Sequence, residues 1–531
     1  MTEPESSADY VMETSSKHPP PIHSHVGEHH ADTGGREIPI SGSVKMFAMC
    51  AAINSCNLGY DIGVSTPAAK IVQEQWGLSE EQRELFVGCL NLFALFGSLG
   101  SQVLSDRYGR RMTFIVASVG FIIGLVLQAS AQEYAMLMTG RALVGLGCGV
   151  GLAIDPLYIS EISPAAHRGE LVTWSEIGIN VGIVLGFAMG LFFSGMNPEL
   201  EWRALFLVGA ILPCVMIYLA IRVMPESPRW YTLKFRYEEA KTVLLSIYPK
   251  GYNVDLVIDD MKEALERERI AENAVGWGAI FHPTPAFRRM LTVGLGIATA
   301  QQLVGIDAIQ YYLLDVIEQT TDSETRQQIL LILLGCVKLS CIFVAAKFFD
   351  SPAAGRRPLV FLSLAGMTIA LLVLSITFYV AGKENPNSTL TVLGLGLYLA
   401  FFSFGMGPAA WLVPSEVFAT CIRAKAMSMA TVLNRLAATA MSSSFLTMTD
   451  AMTWQGFFLL LAGICLVTFL FLYFLLPETK GHSLEDMSLY FAEVTQDFSI
   501  LDAERKIRVE QELQTVAAAG GTEGTTRGTL T

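Results

Sequence analysis

Apolar runs of about 20 residues recur along this chain, and a run of that length crosses the roughly 30 Å hydrocarbon core of a bilayer as a helix. The runs fall at 46–68, 85–105, 112–131, 134–155, 171–195 and 204–223, then at 290–314, 328–347, 358–381, 389–414, 425–448 and 454–476. The pattern predicts an all-α membrane protein with twelve transmembrane helices in two six-helix bundles, 44–223 and 290–476. Between them lies a charged stretch, 224–289, in which Asp259 to Asn273 alternates Lys, Glu and Arg at helix-friendly spacing. It reads as a cytosolic linker with short helices, flanked in the whole chain by tails at 1–43 and 477–531.

Composition agrees with this placement. Of the 531 residues 52% are hydrophobic and 16% charged, against roughly 25% charged in soluble proteins. Little chain remains for a catalytic module, so an enzyme is not expected, nor a cofactor or a metal. The net charge of -13 comes largely from loops and tails and gives no reason to expect nucleic acid as a partner. All cysteines but Cys421 fall inside apolar runs, and no CxxC or disulfide framework is legible. The N-terminal tail is polar and holds His18, His23, His25, His29 and His30, and it matches neither a secretory signal nor a transit peptide. It reads as a disordered cytosolic segment without fixed metal geometry. With both termini cytosolic, the predicted outer loops hold only Lys70, Arg83, Arg203, Arg326 and Lys383, and the inner loops are richer in Lys and Arg. The sequon Asn387-Ser388-Thr389 then lies outside. Helix four carries Gly145, Gly147, Gly149 and Gly151, a spacing that permits close helix packing in lipid and lacks the strand context of a nucleotide loop.

The two halves repeat one another. Asp106 to Arg111 returns as Asp350 with Gly355-Arg356-Arg357; Ser160-Glu161 with Arg168 returns as Ser415-Glu416 with Arg423; Pro225-Glu226-Ser227-Pro228-Arg229 returns as Pro477-Glu478-Thr479-Lys480. All copies fall on the predicted cytosolic side. Asp106, Arg110, Glu161, Arg168, Glu226 and Arg229, with Asp350, Arg356, Glu416, Arg423 and Glu478, are therefore expected to form an inner gate, pairing when that face closes and separating when it opens.

These motifs, with Gly59-Tyr60-Asp61-Ile62-Gly63-Val64, Gly140-Arg141, Gln301-Gln302-Leu303-Val304-Gly305-Ile306, Trp411 and Gly481, resemble the signatures of the sugar porters of the major facilitator superfamily, over roughly residues 45–490. The resemblance implies twelve helices, alternating access and a sugar-like solute bound between the halves. Where hexose facilitators usually carry Gln, Asn, Asn and Trp on helices five, seven, eight and eleven, this chain has Glu176, Asp307, Lys338 and Arg435. That pattern is similar to the plant-type polyol and monosaccharide proton symporters. The chain departs from the family at Asp350 to Gly355, where two residues are inserted and the usual Arg is missing.

Six charges stand within the predicted spans: Asp61, Arg141, Glu176, Asp307, Lys338 and Arg435. Each costs at least about 2.5 kcal/mol at a helix centre, so they are expected to face an interior passage. Counting along helices one and four puts Asp61 and Arg141 both roughly 10 Å below the outer surface, candidates for a pair that a proton breaks. Proton-coupled sugar porters are similar in placing Asp at this position. The expected solute site is Glu176, Gln301, Gln302, Asp307, Lys338, Trp411, Asn434 and Arg435, since amides and carboxylates can each hold sugar hydroxyls and a Trp ring can cover a sugar's C–H face. A break near Gly305 would bring the helix-seven residues together. Lys338 and Arg435 are expected chiefly to neutralise Glu176 and Asp307. The leading expectation is a proton-coupled symporter of an uncharged polyol or monosaccharide, an integral multi-pass protein of the plasma membrane whose partners are solute, protons and lipid. A facilitative hexose uniporter and a non-transporting sugar sensor stay open.

Overall fold

The computed structural model describes residues 41–164, 167–249, 252–350, 355–382, 385–480 and 484–523. The histidine-bearing N-terminal tail and the insertion at 351–354 lie outside the described residues.

Local chemistry sets the first helices. The Ser41 side chain accepts from the Ser43 N–H at the start of α1, Gly42–Trp76, and Gly77 ends that helix in the left-handed region. Ser79 and Gln82 cap α2, Glu80–Tyr108, reciprocally. Next come α3, Arg110–Ala129, α4, Tyr134–Ile162, and α5, Arg168–Phe193. The sixth crossing is α6, Pro198–Gly209, with α7, Ile211–Arg222. The linker holds α8, Pro228–Leu233, α9, Tyr237–Ile247, α10, Val254–Ala274, and α11, Gly278–Phe281.

In the second half the seventh crossing is broken into α12, Pro285–Leu303, α13, Ile306–Tyr311, and α14, Leu313–Glu318. It is followed by α15, Glu324–Asp350, and α16, Arg356–Ala381. The tenth crossing comprises α17, Ser388–Phe401, a π-helical turn at Phe402–Met406, and α18, Gly407–Val417. The chain ends with α19, Arg423–Ser442, α20, Phe445–Leu475, α21, Leu484–Thr495, and α22, Ser499–Glu523. This makes twelve crossings in two six-helix halves, with no strand among the described residues.

Among the described residues, ten crossings are long and apolar enough to span a membrane by composition alone. The other two, α1 and α19, are the polar ones: α1 buries Asn54, Ser55, Asn57 and Asp61, and α19 buries Asn434 and Arg435. Their polarity is turned inward.

Close packing holds each half together. A Cβ on Gly59 of α1 would stand 1.9 Å from the Ile179 carbonyl oxygen on α5. Only glycine allows that approach, which supplies dispersion contacts in lipid, where hydrophobic exclusion cannot. The halves meet where α2 packs on α19 and α5 on α15. The linker and the tail helices share one face of the molecule, here termed the linker face, and α22 packs on α10 while α21 packs on α12 and α18. The Asp497 carboxylate ties the tail down by accepting from the Ala286 N–H at 3.0 Å. The turn between α1 and α2 lies on the opposite, far face.

Candidate functional site

Asp61 and Arg141 meet. Arg141 Nη1 donates to Asp61 Oδ2 at 2.7 Å, and both side chains are fully buried. Arg141 Nε also donates to the Phe86 carbonyl at 3.2 Å, and the guanidinium stacks over the Phe86 ring at 4.6 Å. Asp61 Oδ1 and Arg141 Nη2 have no hydrogen-bond partner, so one carboxylate oxygen is open to a proton. Helix α1 runs two turns past its apolar window to Trp76, about 22 Å along the axis from Asp61, while Arg141 lies seven residues, about 10 Å, from the start of α4.

The second half builds a polar network around the broken crossing. Gly305, at φ 91°, separates α12 from α13; the break falls where the sequence suggested one. Gln301 Nε2 donates to the Gly407 carbonyl at 2.8 Å, and Gln301 Oε1 accepts from Asn434 Nδ2 at 2.8 Å. Asn434 also donates to the Ala298 carbonyl at 2.7 Å, and its Oδ1 accepts from Arg435 Nη2 at 2.6 Å. With its nitrogen toward Asp307, the Gln302 amide donates to Asp307 Oδ2 at 3.3 Å and accepts from Arg435 Nη2 at 3.2 Å. Arg435 Nη1 crosses to the other half and donates to Asn91 Oδ1 at 3.2 Å.

Two expectations bear on this network. Asn434 is fully buried with its amide hydrogen-bonded to three partners, which links Gln301 to Arg435. Lys338 and Arg435 do not neutralise the carboxylates by direct pairing: Lys338 Nζ donates to Gln310 Oε1 at 2.7 Å, and Arg435 spends its donors on amides. Their charges still act across the space between the halves, since Lys338, Asp307 and Arg435 are the charges felt by Glu176. Glu176, Asp307 and Trp411 are only half-buried in mid-span.

The expected gate residues pair within each half. Arg110 donates to both oxygens of Glu161 at 2.8 Å and to Asp106 at 3.0 Å. Glu226 accepts from the backbone N–H groups of Arg110 at 2.7 Å and Ser227 at 2.9 Å. Burial raises the Glu226 carboxyl above its ordinary value, and these donors pull against that rise. The second half repeats the arrangement less tightly, with Arg356 to Glu416 at 3.3 Å and Glu478 accepting from the Arg356 N–H at 2.9 Å. The Asp350 side chain lies outside the described residues.

Two residues are not in these clusters: Arg168 is exposed at the start of α5, and Arg229 pairs with Glu268 of the linker at 2.5 Å, while Arg423 donates to the Phe418 carbonyl at 3.4 Å. The reason is local: Arg110, Asp106 and Glu161 come from helix ends already packed side by side, and no rearrangement is needed to join them.

Ion pairs between the halves stand instead at the far face. Arg83 of α2 grips Asp315 of α14 through two bonds of 2.7 and 2.5 Å. Lys70 pairs with Glu318, and Glu84 accepts from the Thr447 N–H and hydroxyl at 2.8 and 2.6 Å. These bonds close the far face. Sequence reasoning placed Arg83 and Lys70 in outer loops and had no signal for their partners. It also missed Asn91 and Gln310, which are uncharged.

Residues 47–491 match the family described as Sugar (and other) transporter. The chain belongs to this family, the sugar porters of the major facilitator superfamily, and is a transporter rather than an enzyme. It is 36% identical over 490 residues to "Probable polyol transporter 4" of Arabidopsis thaliana, covering 91% of this chain and 93% of that one. It is 35% identical to "Polyol transporter 5" of the same plant, with 84% and 85% covered. The fold matches the inward open conformation of the xylose transporter XylE from E. coli with a TM-score of 0.71 at 25% identity, covering 84% of this chain and 99% of that one.

Proposed function

We propose that this protein is a proton-coupled symporter of an uncharged polyol or monosaccharide, working by alternating access in the plasma membrane with both tails and the linker in the cytosol. The far face is then the outside, and the conformation is closed outward. The Asp61–Arg141 pair carries the reading: a single ion pair, wholly buried, with one carboxylate oxygen free. A proton on Asp61 cancels its attraction for Arg141 and leaves the guanidinium with only the Phe86 carbonyl and ring against it, an uncompensated buried charge that drives the two helices to rearrange.

The consequence reaches the solute through α13. Thr66 of α1, five residues past Asp61, donates to the Gln310 carbonyl at 3.3 Å, and Gln310 holds Lys338. The helix bearing Asp307 and Gln310 therefore touches the helix bearing the proton site. Solute hydroxyls bond to Glu176, Asp307, Lys338 and Gln302, with the Trp411 ring against a C–H face, while Gln301, Asn434 and Arg435 hold that surface in place. The names of the plant relatives support a polyol, and the mixture of donors and acceptors suits one.

The test is uptake of labelled sorbitol, xylose and glucose into vesicles with a pH gradient imposed or collapsed. Asp61→Asn is expected to abolish uphill accumulation while exchange across equal solute concentrations survives. Accumulation by that variant equal to wild type overturns the coupling role, and uptake indifferent to the gradient in the parent chain makes it a facilitative carrier.

A further inference from the structure

A second buried carboxyl stands below Asp61 in the first half, and nothing in the scheme above uses it. Asp155 of α4 is 1% exposed. Its Oδ1 accepts from Asn54 Nδ2 at 2.8 Å and its Oδ2 from the Ser55 hydroxyl at 2.5 Å. No cation lies within ion-pair distance of it among the described residues. From α1 it bonds Asn54 and Ser55 and faces the Cys56 thiol, and the cavity beside it is bordered by Ala117 and Phe121 of α3 and Ile179 of α5, none of them charged. Its own helix adds Cys148. An unpaired negative charge in such surroundings is costly, whereas a neutral carboxyl with two hydrogen bonds is not. Structural economy alone would place an amide here.

The surroundings lead back to Asp61. Asn57 Nδ2 donates to Asn54 Oδ1 at 3.1 Å, and its own Oδ1 is buried with no partner. Asn57 sits four residues from Asp61 on α1, one helical turn or about 6 Å. A cavity of about 10 Å³, lined by Asn54, Ser55, Asn57, Cys148 and Asp155, lies between α1 and α4. That is room for one water. Cys148 borders the cavity and also feels the charges of Asp61 and Arg141. Asp155 is seven residues from Ile162, where α4 ends on the linker face, hence about 10 Å from that surface.

We infer that Asp155 is a proton relay for Asp61, receiving the transported proton through the water-sized cavity beside Asn57 and releasing it at the linker face. The step balances simply. The Asp61 carboxyl gives up its proton and returns to its ion pair with Arg141. The neutral Asp155 carboxyl first gives its proton to water in the cytosolic vestibule, and the carboxylate so formed is reprotonated by the proton from Asp61, handed on through the water in the cavity. No redox change or covalent bond to solute is involved. The inference rests on the proposed coupling at Asp61.

Two rates measured in the same vesicles separate the possibilities: net uptake driven by a pH gradient, which needs proton release in every cycle, and exchange of labelled sorbitol, xylose or glucose at equal concentrations, which does not. Their ratio is independent of how much protein is folded. In Asp155→Asn the ratio is expected to fall about tenfold, and Asp155→Glu restores at least half of it. Asn57→Ala, which removes the link without touching Asp155, is expected to show the same fall and decides the matter if Asp155→Asn yields no active carrier. A ratio within twofold of wild type in both Asp155→Asn and Asn57→Ala overturns the relay. Loss of gradient dependence in wild type itself overturns instead the coupling on which the relay rests.

Discussion

Asn434 shows how much of the proposed solute surface depends on one buried amide. Its amide joins Gln301 to Arg435, and truncation to Ala would strand a buried amide oxygen and one end of a guanidinium. Each unsatisfied buried group costs about 1–3 kcal/mol. Asn434→Ala is therefore expected to lower the thermal unfolding midpoint and to raise the solute KM about tenfold, whereas Trp411→Ala raises KM with the midpoint unchanged. Uptake kinetics beside thermal unfolding in detergent distinguish the two. Legibility at this scale followed the penalty for burying charge. Asp61, Arg141, Glu176, Asp307, Lys338 and Arg435 announced themselves because a charge in an apolar run demands a reason. Asn91 and Gln310 carry no such penalty, so the pattern was silent about them. Asp155 escaped for another reason: it closes the apolar window at 134–155, while the helix continues to Ile162.

At the scale of elements, the seventh crossing is the part that must bend. Gly305 adopts φ 91°, and a Cβ there would lie 3.0 Å from the Leu461 side chain. The left-handed conformation alone costs an L-residue about 1–2 kcal/mol. Gly305→Ala is expected to straighten the junction of α12 and α13, lifting Asp307 away from Gln302 and reducing uptake at least fivefold. Uptake and thermal stability within error of wild type would show that the break is incidental. The break was readable because glycine within an apolar window invites one; the true length of α1 was not, because its last turns, Lys70 to Trp76, are too polar to resemble a span. What extends that helix is tertiary contact, through Lys70 to Glu318 and through Gln75, which accepts from the Trp202 indole at 2.7 Å. The same blindness hid the far-face pairs, since partners 232 residues apart, such as Arg83 and Asp315, leave no local pattern.

For the whole molecule, the balance between closed and open states of the far face is expected to turn on those bonds. Gate motifs on the linker face are paired inside each half, so the seam is carried by α2 against α14, α19 and α20 and by α5 against α15. Arg83 is 4% exposed and its bond to Asp315 is bidentate, the geometry in which loss of one partner costs about 3–5 kcal/mol. A shift of about 2.7 kcal/mol changes a population ratio a hundredfold. Arg83→Ala combined with Glu84→Gln is accordingly expected to convert a mostly closed far face into a substantially open one. Spin labels at Glu81 and Met452, both exposed near that face on opposite halves, would report a single short separation in the parent chain and a second, longer one in the variant. Labels that keep the single short separation would mean that helix packing of α2 on α19, rather than the ion pairs, holds the outside shut.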